Sequence, residues 1–174
     1  MWIAACTRKY LIKAVKAGMT DPADENLTPL AHAAQNRCFG CGRANAVGLR
    51  LDFFLSEDKR VVCLPQVPDS YEGPPGYVHG GIIATLLDEA MSKAVRSHGL
   101  VAMTRHMEVD YRRPVKSGTP LRLEGSLTNS QGRKHWTEAR ILDAAGVTLA
   151  TGKGLFVEVA TNQGGTTPTP VGRG

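Results

Sequence analysis

What the 174-residue chain lacks narrows its possibilities first. No apolar run approaches the roughly 18 residues a membrane helix needs. No dense basic stripe marks a nucleic-acid surface. The formal charge is +5, but basic and acidic residues nearly balance across 38–158, so most of the excess sits in the flanks. A mildly basic chain still suits a phosphate-bearing ligand. No internal repeat is visible. Four cysteines in a chain of this length do not build a disulfide scaffold. Only Cys38-Phe-Gly-Cys41 has metal-like spacing, and no second pair or neighbouring His pair completes a zinc set. The expectation is therefore a reducing, cytoplasmic setting, no metal, and a tight turn whose sulfurs pack as small hydrophobes.

What is present reads as one globular domain, 42% hydrophobic and 21% charged. Residues 1–37 form an extension with short helices. Its first 20 residues carry Arg8, Lys9, Lys13 and Lys16 and no acid, which fits either a marginal helix or an organelle-targeting presequence. Thr28-Pro29 reads as a helix cap and first turn, opening a short helix to about Asn36. Residues 38–159 form the main domain, and 160–174 a flexible tail of Gly, Thr and Pro.

Within the main domain, Leu49, Leu51, Phe53 and Leu55 alternate at strand period, and Val61, Val62 and Leu64 suggest a second strand. One long helix runs from about Gly80 to near Gly99. Four strand-like runs follow near 101–113, 119–130, 133–143 and 147–159, separated by short turn signals. A single helix among about six meandering strands predicts an α+β fold, with the helix burying its apolar arc on an antiparallel sheet.

At about 100° per residue, Ile82, Ile83, Leu86, Leu87, Ala90, Met91, Ala94 and Val95 share that arc. Asp88 lies on its border, where a half-desolvated carboxyl can have a raised pKa; a plain solvated aspartate is the alternative. Glu89 falls on the polar arc, and Lys93 on the apolar edge with its stem free to snorkel. At the helix start, Gly80 and Gly81 each cost about 1 kcal/mol relative to Ala if helical. Bare backbone and unpaired first-turn N–H groups can receive negative charge on an oxygen, although a tight loop-to-helix junction explains the glycines equally well. His79 can orient that loop or donate to a carbonyl.

The stretch "GPPGYVHGGIIATLLDEAM", with "CFGCGRANAVGLRL" upstream and "YRRPV" downstream, resembles hotdog-fold acyl-CoA thioesterases of the phenylacetic-acid-degradation type. The likeness covers about residues 38–158. It implies a central helix wrapped by the sheet, subunits joined through their sheets, and a site at the dimer interface. It also implies roles for His79, Gly80 and Gly81 at the helix start, Asp88 as catalytic acid, and Thr104 sixteen residues beyond. Where several relatives place Asn or Gln before the histidine, this chain has Gly73, which leaves Glu72 or a water for that role.

Nine residues of helix separate His79 from Asp88 by about 13 Å, too far to meet one thioester carbon. A two-fold dimer solves this by setting the Gly81 amide of one subunit opposite Asp88 of the other.

The implied reaction is acyl-CoA hydrolysis with no cofactor beyond the substrate's coenzyme A. Asp88 would act as base or nucleophile, and Arg112, Arg113 and Lys116 are candidate phosphate contacts or merely a charged sheet edge. Leu87, Met91 and Met103 could line an acyl tunnel or simply be core. The expected assembly is a homodimer or tetramer, with no nucleic-acid or membrane partner. A non-catalytic acyl-CoA sensor and an acyl-thioester dehydratase are the rival readings.

Overall fold

The computed structural model describes residues 26–161. The expected helix in 1–20 lies outside them, as does the expected flexible tail of 160–174 apart from residues 160 and 161, which instead end the last strand. Strands β1 (Thr28–Pro29), β2 (Phe53–Leu55) and β3 (Val61–Cys63) precede helix α1 (Gly80–Arg96). β4 (Leu100–Tyr111), β5 (Arg122–Gln131), β6 (Lys134–Leu142) and β7 (Thr148–Thr161) follow it. All seven form one antiparallel sheet in the order β1-β2-β3-β5-β6-β7-β4. The α+β expectation of one helix on an antiparallel sheet holds, with β1 as the strand it did not contain. No helix among the described residues is long and apolar enough to cross a membrane.

Helix and sheet meet along the predicted arc. Leu86, Leu87, Ala90, Met91 and Ala94 are wholly buried, packed with Leu123, Ile141 and Phe156 from the sheet. Gly125 lets the helix lie directly on β5, because a Cβ there would stand 2.6 Å from the Ala90 carbonyl oxygen. The helix closes with Lys93 and Arg96 in its last turn, favourable for the helix dipole, and the chain reverses at Gly99 with φ of 78°. β4 then crosses to the far edge of the sheet, where among the described residues only β7 pairs with it.

Three local expectations fail, each to a tertiary partner. Thr28-Pro29 opens no helix. The Thr28 hydroxyl donates to the Leu55 carbonyl, Leu30 N–H to that of Phe53, and the segment becomes the outer strand β1. The described residues before Cys38 hold no helix. The alternation from Leu49 does bury Leu51 and Phe53, but Leu49 and Leu51 donate to the carbonyls of Phe39 and Gly40, so the ladder begins only at Phe53.

The third concerns Glu89, expected on the polar arc of α1, and Lys93, expected to snorkel from the apolar edge. Glu89 and Lys93 are buried, each 8% exposed, because the loop around Cys38–Cys41 folds over the helix flank that the sheet leaves open. The two cysteines consequently do not pack as plain hydrophobes. Cys38 Sγ donates to Glu89 Oε2 at 3.3 Å, and Lys93 Nζ lies 2.9 Å from Cys41 Sγ and 3.1 Å from Glu89 Oε1.

Candidate active site

The helix start is built by a pinned loop. Val78 N–H donates to Val115, His79 N–H to Tyr71, and Tyr77 bridges Lys116. The Glu72 carboxylate accepts from the Ser117 hydroxyl and the Gly76 amide, which hold it below the usual carboxylate range. Glu72 is thus occupied in tying the loop. Gly73 backs the histidine: a Cβ there would lie 3.3 Å from His79 Cδ2.

His79 is the N-cap of α1, and its Nδ1 accepts from the Gly81 amide at 3.0 Å. This bond puts the ring proton of the neutral form on Nε2, which is left to donate outward. It also commits the amide expected to receive a substrate oxygen. Among the described residues, the Gly80 N–H has no such partner, while Ile82 and Ile83 both donate to the His79 carbonyl.

Asp88 stands on the arc border as expected, half-buried. Thr104 of β4 donates to its Oδ1 at 2.7 Å. Burial lifts the Asp88 carboxyl above its usual range; the Thr104 bond pulls it down, and the neighbouring Glu89 charge adds to the rise. The structure thus joins Asp88 to Thr104 and His79 to Gly81, as two separate groups along one helix. The mid-part of β4 exposes consecutive residues, Met103 to His106, with a register shift between Thr104 and His106.

The three cations do not form one cluster. Arg112 is paired with Asp110 at 2.9 Å and lines a groove with Arg60, Arg140 and Lys153 on the sheet. Side chains at 124, 138, 140 and 153 there alternate with Gly125, Ala139 and Gly152, whose face meets the helix, so the charged groups point away from it. Lys116 instead lies beside Tyr77 in the His79 loop, and Arg113 is exposed near the end of β4. Of the three tunnel candidates, Leu87 and Met91 are wholly buried core and Met103 is 62% exposed.

Tyr111 was not singled out by sequence. Its hydroxyl donates to the Gly80 carbonyl at 3.1 Å, and its ring lies 3.8 Å from where a Gly80 Cβ would be. Its place at the end of an alternating strand, as the first residue of the "YRRPV" stretch, could have flagged it.

Comparison with known proteins bears on the fold and the family. Residues 75–150 match the thioesterase superfamily model. The chain is 38% identical over 90 residues to acyl-coenzyme A thioesterase THEM4 of Xenopus laevis, covering 51% of this chain and 40% of that protein. It spans about half the length of the curated relatives it matches. A solved thioesterase superfamily protein is 35% identical with a TM-score of 0.64, covering 67% of this chain and 60% of that one. A Streptococcus mutans protein, solved bound to acetyl CoA, has the same fold with a TM-score of 0.65 at 20% identity, covering 76% of this chain and all of that one.

Proposed function

We propose, from the match of residues 75–150 to the thioesterase superfamily model, that the chain hydrolyses acyl-CoA thioesters at a site shared by two subunits. The observation that carries this is Asp88: a half-buried carboxyl with a raised pKa, held by Thr104, on the border of the helix. Such a group is a general base whose proton affinity suits water activation. The homologous THEM4 proteins are named acyl-CoA thioesterases, and a structural neighbour carries acetyl CoA, which supports the substrate class.

In this reading the Gly80 N–H takes the oxyanion role first expected of Gly81, since the Gly81 amide already serves the helix cap. His79 Nε2–H donates to the same carbonyl oxygen. Asp88 of the partner subunit takes a proton from water as the water attacks the thioester carbon. The tetrahedral intermediate collapses, the C–S bond breaks, and the CoA thiolate leaves and recovers a proton. Loss of one oxyanion donor costs on the order of 100-fold in such sites. A single turnover in oxygen-18 water should place label in the product acid and none in Asp88; labelled Asp88 would demand an anhydride path instead.

Lys116 and Arg113 are the cations we assign to the phosphates of coenzyme A; Arg112 faces the other side of the sheet. Dimerisation would use β4, an edge strand of 12 residues exposing Met103 and Tyr111. Mixed dimers test the shared site. D88N and H79A subunits, each nearly inactive, should together recover about one quarter of wild-type turnover, because random pairing leaves one intact site in half the dimers. No recovery from verified mixed dimers would place both groups in one subunit's site and overturn the arrangement.

A further inference from the structure

The loop that buries Glu89 has the form of a metal knuckle. In Cys38-Phe-Gly-Cys41-Gly42 the Gly42 amide donates to the Cys38 carbonyl at 2.9 Å, and a Cβ on Gly42 would stand 2.5 Å from Cys38 backbone atoms. Gly40 is equally restricted, since a Cβ there would lie 2.5 Å from Glu89 Oε2. The two bare positions let the loop turn tightly and set both sulfurs against one carboxylate. The ligand atoms of Cys38, Cys41 and Glu89 all lie within 4.8 Å of one another. Ligands of a tetrahedral zinc, at about 2.3 Å for sulfur and 2.1 Å for oxygen, stand roughly 3.6 to 3.8 Å apart. The Cys38–Glu89 separation of 3.3 Å is close to that, so small side-chain movements would complete the geometry.

We propose that Cys38, Cys41 and Glu89 bind a zinc ion, with His32 as the fourth donor. The sequence shows the cysteine pair but hides the rest, because Glu89 is 48 residues further along on a helix. Among the described residues His32 Nε2 is buried with no hydrogen-bond partner, and its ring is near enough to Glu89 and Lys93 to feel both charges, although it lies outside the 4.8 Å cluster and must move to reach an ion held there. An ion pair between Glu89 and Lys93 alone would explain neither that nitrogen nor two thiols aimed at the pair. Lys93 fits the zinc reading as the outer cation. Two thiolates and a carboxylate around a divalent ion leave one net negative charge, and the ammonium 2.9 Å from Cys41 Sγ balances it. On binding, each thiol releases its proton to solvent. The ion would tie the loop of residues 32–42 to α1 on the flank opposite the sheet, a structural role separate from the thioester site.

Metal analysis of the full, untagged chain, purified without chelator, tests this directly. About one zinc per chain is expected, and its removal should lower the melting temperature by several degrees. Cobalt added to the stripped chain should give thiolate-to-cobalt charge-transfer absorption, lost in C41S and weakened at least tenfold in apparent affinity in H32A. A folded wild-type chain with less than about one-tenth of an equivalent of zinc and no such absorption on cobalt addition overturns the proposal. Zinc retained at full occupancy in C41S also overturns it, by placing the ion elsewhere. Should C41S fail to fold, cobalt absorption in the wild type decides alone, since it reports sulfur ligation. None of these readouts depends on thioesterase activity.

Discussion

Asp88 and Glu89 are neighbours on one helix, both at least half removed from solvent, and their acidities move in opposite directions. Burial raises both carboxyls. For Asp88 only the Thr104 hydroxyl answers it, and the pKa ends above the usual range. For Glu89 the burial is greater, yet the Lys93 charge and donors from Cys41, Lys93 and Cys38 outweigh it, and the pKa ends below. Desolvation by itself therefore does not make a base. What matters is whether the surroundings supply a cation, and on this helix the two flanks differ in that respect.

The most severe way to break the contrast is Asp88→Asn. Turnover should fall about 1000-fold, measured as thiol release from acyl-CoA. The fold should survive. A carboxyl with a raised native pKa keeps its proton to higher pH than the unfolded chain does, so the wild type loses stability as pH rises from the ordinary carboxylate value through the raised one. The Asn variant escapes that loss and should melt at or above the wild-type temperature at pH 7. Near wild-type turnover would remove Asp88 from the chemistry.

Glu89→Gln reverses the pattern. It strands the Lys93 ammonium in a buried pair whose side chains are each 10% exposed, costing about 3 kcal/mol in denaturant unfolding. The depressed native pKa of Glu89 gives stability that is present above its unfolded value and lost as pH falls through the folded one, so the gap between variant and wild type should close in acid. Neutral turnover should persist, with the acid limb of kcat/KM moved to lower pH because a like charge beside Asp88 is gone.

Thr104→Val sharpens the comparison from the other side. Removing the Thr104 donor to Asp88 takes away stabilisation of its charged form, so the acid limb should move to higher pH. A lost hydrogen bond to a charged group predicts about a tenfold fall in kcat/KM. An unmoved pH profile would mean that the bond is not made in the working enzyme.

The same helix shows how far sequence reasoning carries. Its apolar arc, start and border carboxylate follow from period and glycine placement, because the sheet covers one face and local spacing records which one. Thr104 came from the resemblance, and its hydroxyl donates to Asp88. Glu89 was misplaced because a second layer, the loop of residues 36–42, covers a flank that reads as polar, and the same layer buries the Lys93 head group expected to snorkel to solvent. Thr28-Pro29 failed similarly, its capping hydroxyl being taken by the Leu55 carbonyl. The Gly81 amide, expected to be free, is held by the ring of His79 two residues earlier, a geometry that residue type alone does not disclose.

Tyr111→Phe carries the smallest effect and asks which atoms define the helix start. The ring would remain against Gly80 and only the hydroxyl's bond to the Gly80 carbonyl would go. One neutral hydrogen bond is worth about 1 kcal/mol, so kcat should drop no more than about fivefold with KM nearly unchanged. The Gly80 carbonyl belongs to the peptide whose N–H, that of Gly81, is capped by His79, so its tether steadies the turn in which the proposed oxyanion donor, the Gly80 amide, stands. Tyr111→Ala removes the covering ring as well and should raise KM, separating the ring's part in binding from the hydroxyl's part in holding the backbone. If both variants behave alike in kcat and KM, the hydroxyl contributes nothing, and the helix start is held by His79 and its loop alone.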